Sequence, residues 1–245
     1  MPYKSPAVEA EVSILLPVHN ERENLAELLE EIDDAFAGRD YEVIAVDDGS
    51  TDGSREELTR LGGRHRRLRV LSLGGRAGQS AAFAVGFGYS HGTIIVTLDA
   101  DGQNPPAEAR KLVAALEGWE GYDAAVGYRV RRHDSAWKRF QSRLANAVRN
   151  WLTGDRVRDT GCGLRALRRD VVRDLPEFDG MHRFLPTLIR MQGGRVLEVP
   201  VAHRPRRHGR TKYGVWDRAV RGLSDALGVR WLKRRTLRYD VRDAG

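Results

Sequence analysis

Along this chain, short apolar runs give way to polar clusters, and the clusters to apolar residues at helical spacing. Glu11–Val18 (EVSILLPV) predicts a first strand, and Leu25, Leu28, Leu29, Ile32 and Phe36 behind it predict a helix. Tyr41–Val46 predicts a second strand, ended by Asp47-Asp48-Gly49-Ser50 and a short helix, and Arg69–Leu73 a third. Gly78–Tyr89 reads as a helix and Thr93–Leu98 as a fourth strand. Asn104 is placed to cap a helix whose first turn holds Pro105 and Pro106, where a missing N–H costs little. Ala124–Val126 predicts a short strand, Ser135–Leu152 a helix and Arg195–Val201 a late strand. This alternation, without internal repeat or low-complexity linker, predicts an α/β fold with a mostly parallel central sheet flanked by helices.

Ligands of such sheets bind beyond the carboxyl ends of the strands. Polar residues gather there four times: Pro17, His19, Asn20 and Glu21; Asp47 and Asp48; Arg76, Gly78 and Gln79; Asp99, Asp101 and Gln103. One or two such clusters would be turns, whereas four at a single edge predict a site. In Leu98-Asp-Ala-Asp-Gly-Gln-Asn-Pro-Pro106 the two carboxylates need a turn to serve one ion, and Gly102 allows it. A hard cation such as Mg²⁺ or Mn²⁺ takes few carboxylates, keeping waters and phosphate oxygens as its other ligands. The chain has no G-x-x-x-x-G-K-[ST], no G-x-G-x-x-G after the first strand and no G-x-S-x-G, which removes the commonest phosphate loops and the nucleophile elbow. Gly86-Phe87-Gly88, inside a helical stretch, predicts close packing, and the histidines, mostly in basic context, predict an exposed charged surface.

Composition adds bounds. With 245 residues, 41% hydrophobic, the chain suits one large domain or a domain with an appendage. No apolar run approaches the roughly eighteen residues of a membrane span, and MPYKSPAVEAEV lacks a secretory pattern, so a cytoplasmic location is expected. The single cysteine, Cys162, rules out an internal disulfide and reads as a small core residue. The net charge of +7 is concentrated late: Arg204 to Arg242 holds thirteen Lys or Arg against three Asp, a balance of +10 that leaves the rest at −3. Such a block attracts nucleic acid, an anionic membrane surface or a phosphorylated substrate.

Ile14-Leu-Leu-Pro-Val-His-Asn-Glu21, Val46-Asp-Asp-Gly-Ser-Thr-Asp52 and Leu98-Asp-Ala-Asp-Gly-Gln-Asn-Pro105, in this order, resemble glycosyltransferase family 2. Asp159-Thr-Gly-Cys-Gly-Leu-Arg-Ala166 and the stretch from Val199 to Tyr213 look like its polyprenyl-phosphate group, which includes dolichol-phosphate mannose synthase. The resemblance spans roughly Val12 to Trp216 and implies a GT-A type nucleotide-sugar-binding fold over 1–214, with a basic amphipathic helix over 215–245. It implies that Pro17, His19, Glu21 and Asp48 surround the nucleotide, with Asp47 close by and Gln79 in contact with it. Asp99 and Asp101 would hold Mg²⁺ or Mn²⁺, with Gln103 completing the shell. Arg129, Ser142, Arg206 and Lys212 match positions used for the acceptor phosphate and loop closure, and with Asp101 they form the implied catalytic set. Gly102 stands where the family usually has an apolar residue, and Arg76 where it has Asn.

The chemistry agrees with the residue types. A lipid monophosphate is already anionic near neutral pH, so its attack on a nucleotide sugar needs charge management rather than a strong base. The expected activity is inverting, metal-dependent transfer of a hexose from GDP-mannose or a UDP-hexose to dolichyl or undecaprenyl phosphate. A saccharide hydroxyl acceptor is the alternative and would need a base, for which Asp159 is the candidate. A nucleic-acid-binding protein fits less well, because it leaves Asp47, Asp48, Asp99 and Asp101 unexplained, and no nucleic-acid partner is expected. Val220, Leu223, Leu227 and Trp231 form an apolar stripe among Arg218, Arg221, Arg230, Lys233, Arg234 and Arg235. That pattern predicts a helix peripheral to the inner face of an anionic membrane; the alternatives are a helix packed on the domain's own surface or a subunit contact, with a membrane-protein partner as a further expectation.

Overall fold

A computed structural model describes residues 10–130, 146–206 and 215–237, with side chains from 222 onward in the last stretch. Its elements in chain order are β1 (Val12–Val18), α1 (Arg22–Ala35), β2 (Tyr41–Asp47), α2 (Ser54–Gly62), β3 (Leu68–Ser72), α3 (Gln79–Tyr89), β4 (Ile94–Thr97), α4 (Pro106–Gly118) and β5 (Ala124–Arg129). Then come α5, described over 146–153, β6 (Arg165–Arg168), α6 (Arg169–Arg173), a 3₁₀ turn (Met181–Arg183), α7 (Leu185–Met191), β7 (Val196–Val201) and α8 (Val215–Arg235).

Among the described residues the strands form one seven-stranded sheet in the order β3-β2-β1-β4-β6-β5-β7. β1 pairs in parallel with β2 and β4, β2 with β3, and β5 with β7, while β6 runs antiparallel to both β4 and β5. Reversal has a direct consequence: the start of β6 lies at the edge where the other strands end. Arg165 stands opposite both Thr97, the last residue of β4, and Val126 of β5.

Both faces of the sheet are covered, so β1 is apolar at nearly every position. Ile14, Leu16 and Val18 enter one core with Leu25, Leu29 and Ile32 of α1 and Leu112 and Leu116 of α4. Leu15 faces the other core, with Phe83 of α3, Leu188 of α7 and Ala226 and Val229 of α8. Each fully buried Leu, Ile or Phe side chain contributes about 1.5–3 kcal/mol. Cys162 is buried in the first core, as a small core residue should be. Arg149 ties α5 to this scaffold: its guanidinium lies 4.6 Å from the Phe184 ring centroid and donates to Thr187 Oγ1 (2.9 Å) and the Arg183 carbonyl (3.2 Å). Burial pushes its pKa down to about 10.

The expectations hold to within a few residues where the structure describes them, with three differences. Asn104 does not cap α4; Pro105 occupies the cap position with no side-chain bond, and Asn104 Oδ1 faces His203 Nδ1 at 3.3 Å. β6 and the segment from the 3₁₀ turn through α7 were not anticipated, because their buried residues come in runs too short to show a period. The five described histidines are half-buried and bonded rather than exposed: His65 and His91 face Asp33 and Glu42, His19 donates to the Asp48 carbonyl, and His182 lies 2.7 Å from Ser80 Oγ. Of the Ser135–Leu152 helix, the part before residue 146 lies outside the described residues.

Gly86 of α3 owes its place to β1. A Cβ there would lie 2.1 Å from Leu15 Cδ1, whereas one on Gly88 would meet nothing within 4 Å. Gly86→Ala is expected to cost about 1–3 kcal/mol through overpacking, and Gly88→Ala to be neutral or stabilise by up to about 1 kcal/mol through helix propensity. Urea denaturation of the two variants checks this.

Candidate active site

The four polar clusters do converge at the carboxyl edge. His19 Nδ1 donates to the Asp48 carbonyl (2.7 Å), fastening the loop after β1 to the loop after β2. Asp48, buried, accepts from the Ala77 and Gly78 N–H groups (2.6 and 2.9 Å), which draws in the loop after β3. Gln79, the first residue of α3, donates to Asp99 Oδ1 at 2.9 Å and so reaches the loop after β4. Pro17 lies in β1 opposite Val46, just below this rim. Asp47 is turned inward and fully buried; it accepts from Ser50 N–H (3.1 Å) and pairs with Arg55 (2.9 Å), which makes it the brace of the β2 loop.

Asp99 and Asp101 share the end of β4. Asp99 keeps some exposure, yet protein atoms pack closely around its carboxylate, and that burial raises its pKa against the pull of Arg165 and the Gln79 hydrogen bond. Asp101 is pushed up to about 6, first by burial and then by the charge of Asp99. Two crowded carboxylates, both raised by burial and Asp101 further by the charge of Asp99, form a donor set that a divalent cation suits. Among the described residues no group of three or more His, Cys, Asp or Glu converges as a full metal cage, so the fit is to a sparse site completed by other ligands. Gly102, at φ +70°, makes the turn that returns the chain toward Asp101. The Gln103 N–H donates to Asp101 Oδ1 (3.1 Å), while its side-chain amide reaches the Arg204 carbonyl at 3.5 Å.

The segment leaving β7 closes one side. Arg204 N–H donates to the Gln103 carbonyl (2.8 Å), its guanidinium pairs with Glu31 of α1 (2.7 Å), and Arg206 pairs with Glu21. Glu21 is itself buried and accepts from the Asn24 side chain (2.8 Å). Ser142 and Lys212 lie outside the described residues.

Opposite this segment, reversed β6 delivers residues that motif reading did not weigh together. Arg129 at the end of β5 donates through Nε and Nη2 to both oxygens of Asp159 (2.7 and 2.9 Å). Gly163 lies so close to Asp99 that a Cβ would sit 2.1 Å from Oδ2. Arg165, buried, has its pKa lowered by desolvation and supported by Cys162, Asp99 and Asp159. Arg165, at the start of the short strand RALR and followed by apolar Ala166 and Leu167, was the available signal. Behind Gln79, burial together with Arg183 and Arg165 takes His182 down to about 3.

This arrangement agrees with what known proteins show. The family model for glycosyl transferase family 2 matches residues 13–175. The chain belongs to glycosyltransferase family 2. Among curated proteins it is 39% identical over 207 residues to the undecaprenyl-phosphate 4-deoxy-4-formamido-L-arabinose transferase of Edwardsiella ictaluri, covering 83% of this chain and 63% of that one. It is 40% identical over 205 residues to the protein of the same name from Pseudomonas aeruginosa, covering 82% and 60%. The chain thus spans less than two thirds of the length of these relatives. Among solved structures, glucosyl-3-phosphoglycerate synthase from Mycobacterium tuberculosis, in complex with Mn²⁺, UDP and glucosyl-3-phosphoglycerate, superposes with a TM-score of 0.69 at 23% identity, over 90% of this chain and 80% of that one. The same synthase with phosphoglyceric acid gives 0.69 at 21% identity, over 91% and 80%. These matches establish the GT-A type fold for this family 2 glycosyltransferase.

Gly163→Ala is expected to displace the Asp99 carboxylate, weakening Mn²⁺ binding by about tenfold or more while the far-ultraviolet circular dichroism stays unchanged; titration calorimetry with Mn²⁺ reads the effect. His182 generates a stability prediction. Its folded pKa of about 3 lies below the ordinary 6.5, so the unfolded chain binds the extra proton. Its contribution to stability is complete above about pH 6.5 and falls away toward pH 3, by up to about 1.4 kcal/mol per pH unit. Melting temperatures of wild type and His182→Gln across pH 4–8 should therefore converge as the solution is acidified.

Proposed function

We propose that this glycosyltransferase moves a sugar from a nucleoside diphosphate donor to a polyprenyl phosphate, with inversion at the anomeric carbon. The observation that supports the acceptor most is the Arg129–Asp159 clamp. A hydroxyl acceptor needs a base to take its proton, and Asp159 is the carboxylate on that side of the site. Both its oxygens already accept from Arg129, and one also takes the Gly161 N–H (3.1 Å). Asp159 is thereby committed to orienting a cation, and a cation is what a phosphate nucleophile needs.

In this reading, an acceptor phosphate oxygen attacks the anomeric carbon from the face opposite the nucleotide. The new C–O bond forms as the bond to the donor diphosphate breaks, its electron pair leaves with the nucleoside diphosphate, and no proton has to move. Asp48 orders the loop before Gln79, and His19 and Glu21 line the nucleotide side. A divalent cation held by Asp99 and Asp101, with Gln103 nearby, would supply charge for the diphosphate. Arg206, paired with Glu21, and Arg129, paired with Asp159, place one cation on each side of the carboxylate pair.

The names of the relatives at about 40% identity support the undecaprenyl-phosphate acceptor and bring a formamido-arabinose donor beside the hexoses. The test supplies Mn²⁺ or Mg²⁺, a short polyprenyl phosphate and radiolabelled GDP-mannose, UDP-glucose, UDP-galacturonate or UDP-4-deoxy-4-formamido-L-arabinose. Label is expected in the lipid phase from one donor and lost in Asp101→Ala. Asp159→Asn separates the acceptor classes. An orienting role predicts a raised acceptor KM with kcat kept within about tenfold, whereas removal of a general base would lower kcat by roughly 10²–10⁴.

A further inference from the structure

Gln79, whose amide reaches Asp99, is held on both sides by its neighbours in the chain. Before it, the Ala77 and Gly78 N–H groups donate to Asp48 (2.6 and 2.9 Å). After it, Ser80 is buried; its Oγ accepts from the Gly180 N–H (2.9 Å) and lies 2.7 Å from His182 Nδ1. Between these anchors the Gly78 carbonyl starts α3, accepting from the Ala81 and Ala82 N–H groups (3.0 and 3.2 Å).

A hydroxyl has one proton to give. With the Gly180 N–H donating to its oxygen, the proton of Ser80 is directed at Nδ1 of His182, which leaves the ring hydrogen on Nε2. That is the tautomer of a neutral imidazole, and burial, with Arg183 and Arg165 adding to it, keeps this ring neutral down to about pH 3. The surroundings are apolar: Met181 and Phe184, beside His182 in the chain, are buried in the second core, and the Phe83 ring centroid lies 6.2 Å from that of His182. The turn that carries His182 is backed from its other side. Gly180, at φ +94°, stands where a Cβ would sit 2.5 Å from Asp225 Oδ2 of α8, and Asp225 accepts from Arg183 Nη1 at 3.2 Å.

Apolar side chains at 80 and 182 would pack α3 against this turn by area alone. A hydrogen bond in an apolar core costs desolvation of both partners and gives distance and direction in return. We propose that Ser80 and His182 are positioning residues of the active site: their hydrogen bond fixes the first turn of α3, and through it the Gln79 amide that orients the Asp99 carboxylate at 2.9 Å. Gln79 is a long side chain with several rotatable bonds, so its amide keeps to one carboxylate only when the backbone beneath it is fixed. Groups that hold a metal ligand in one rotation govern how well it binds the ion. The service to a divalent cation rests on the reading of Asp99 given above; the fixing of Gln79 does not.

The test reads the Gln79 side-chain amide in proton–nitrogen correlation spectra of the intact chain, its pair of signals assigned by their loss in Gln79→Leu. Ser80→Ala and His182→Leu are expected to move the pair toward the signals of solvent-exposed glutamine amides. His182→Asn, whose side-chain oxygen accepts where Nδ1 did, is expected to keep it in place. Calorimetry with Mn²⁺ runs in parallel: Ser80→Ala should lower the affinity about fivefold and Gln79→Leu about tenfold. In the Gln79→Leu background, Ser80→Ala should then change it by less than about twofold, because both act through one amide. A merely structural Ser80 would lower the affinity equally in both backgrounds. Unmoved amide signals in Ser80→Ala, or a fivefold loss of affinity that persists without Gln79, overturns the proposal. Should His182→Leu fail to fold, Ser80→Ala beside Ser80→Thr, which keeps the hydroxyl, decides by the same signals. A wild type that binds no Mn²⁺ while its amide signals respond to Ser80→Ala removes the cation reading and leaves the positioning of Asp99 standing.

Discussion

Negative charge crowded at the end of β4 is the constraint around which the site is organised. Burial disfavours ionisation of both Asp99 and Asp101, and the charge of Asp99 raises Asp101 further. Around them, the fold places compensating groups from separate parts of the chain: Arg165 from β6, the Gln79 amide from α3 and Arg206 from the segment after β7. Arg206 is also matched to Glu21 and Arg129 to Asp159, so Arg165 is the arginine that acts most on Asp99. Burial still holds both carboxylates above their ordinary pKa, which suits the pair to a cation and a diphosphate rather than to a structural ion pair.

The reversed strand makes this arrangement possible. In an all-parallel sheet the loop entering β6 would arrive at the opposite edge, and Asp159, Gly163 and Arg165 would stand a strand length from Asp99. Running antiparallel between β4 and β5, β6 begins where its neighbours on either side end. Gly163 can then lie against the Asp99 carboxylate and Asp159 can clamp Arg129, because no side chain at 163 intervenes. The same loop accepts and donates hydrogen bonds at Asn146 of α5.

Much of this was legible beforehand. β1, β2 and β4 are apolar runs because both faces of a central sheet are covered, and their ends are marked by polar residues because backbone leaves the core there. The convergence of Asp48, Gln79 and Asp99 followed from parallel topology alone. Asp47 was harder to read: its neighbour Asp48 has the same chemistry, and only the pleat decides that Asp47 turns inward to Arg55. His182 looked like a surface residue beside Arg183, yet it lies against Ser80, which is distant in sequence and brought to it by α3 packing.

The order of strand and helix from β1 through β5, the polar residues at the ends of the parallel strands and the basic character of the C-terminal stretch are properties of local sequence, and the sequence determined them unaided. Hydrophobic period and charge are additive along a chain and need no knowledge of neighbours. Which acid pairs with which base, which face of α8 is buried and which glycine stands against Asp99 were decided only by the tertiary structure. Those depend on the direction of one short strand and on close contacts between residues far apart in the chain. Strand direction and steric fit are relations between segments, and no single segment carries them.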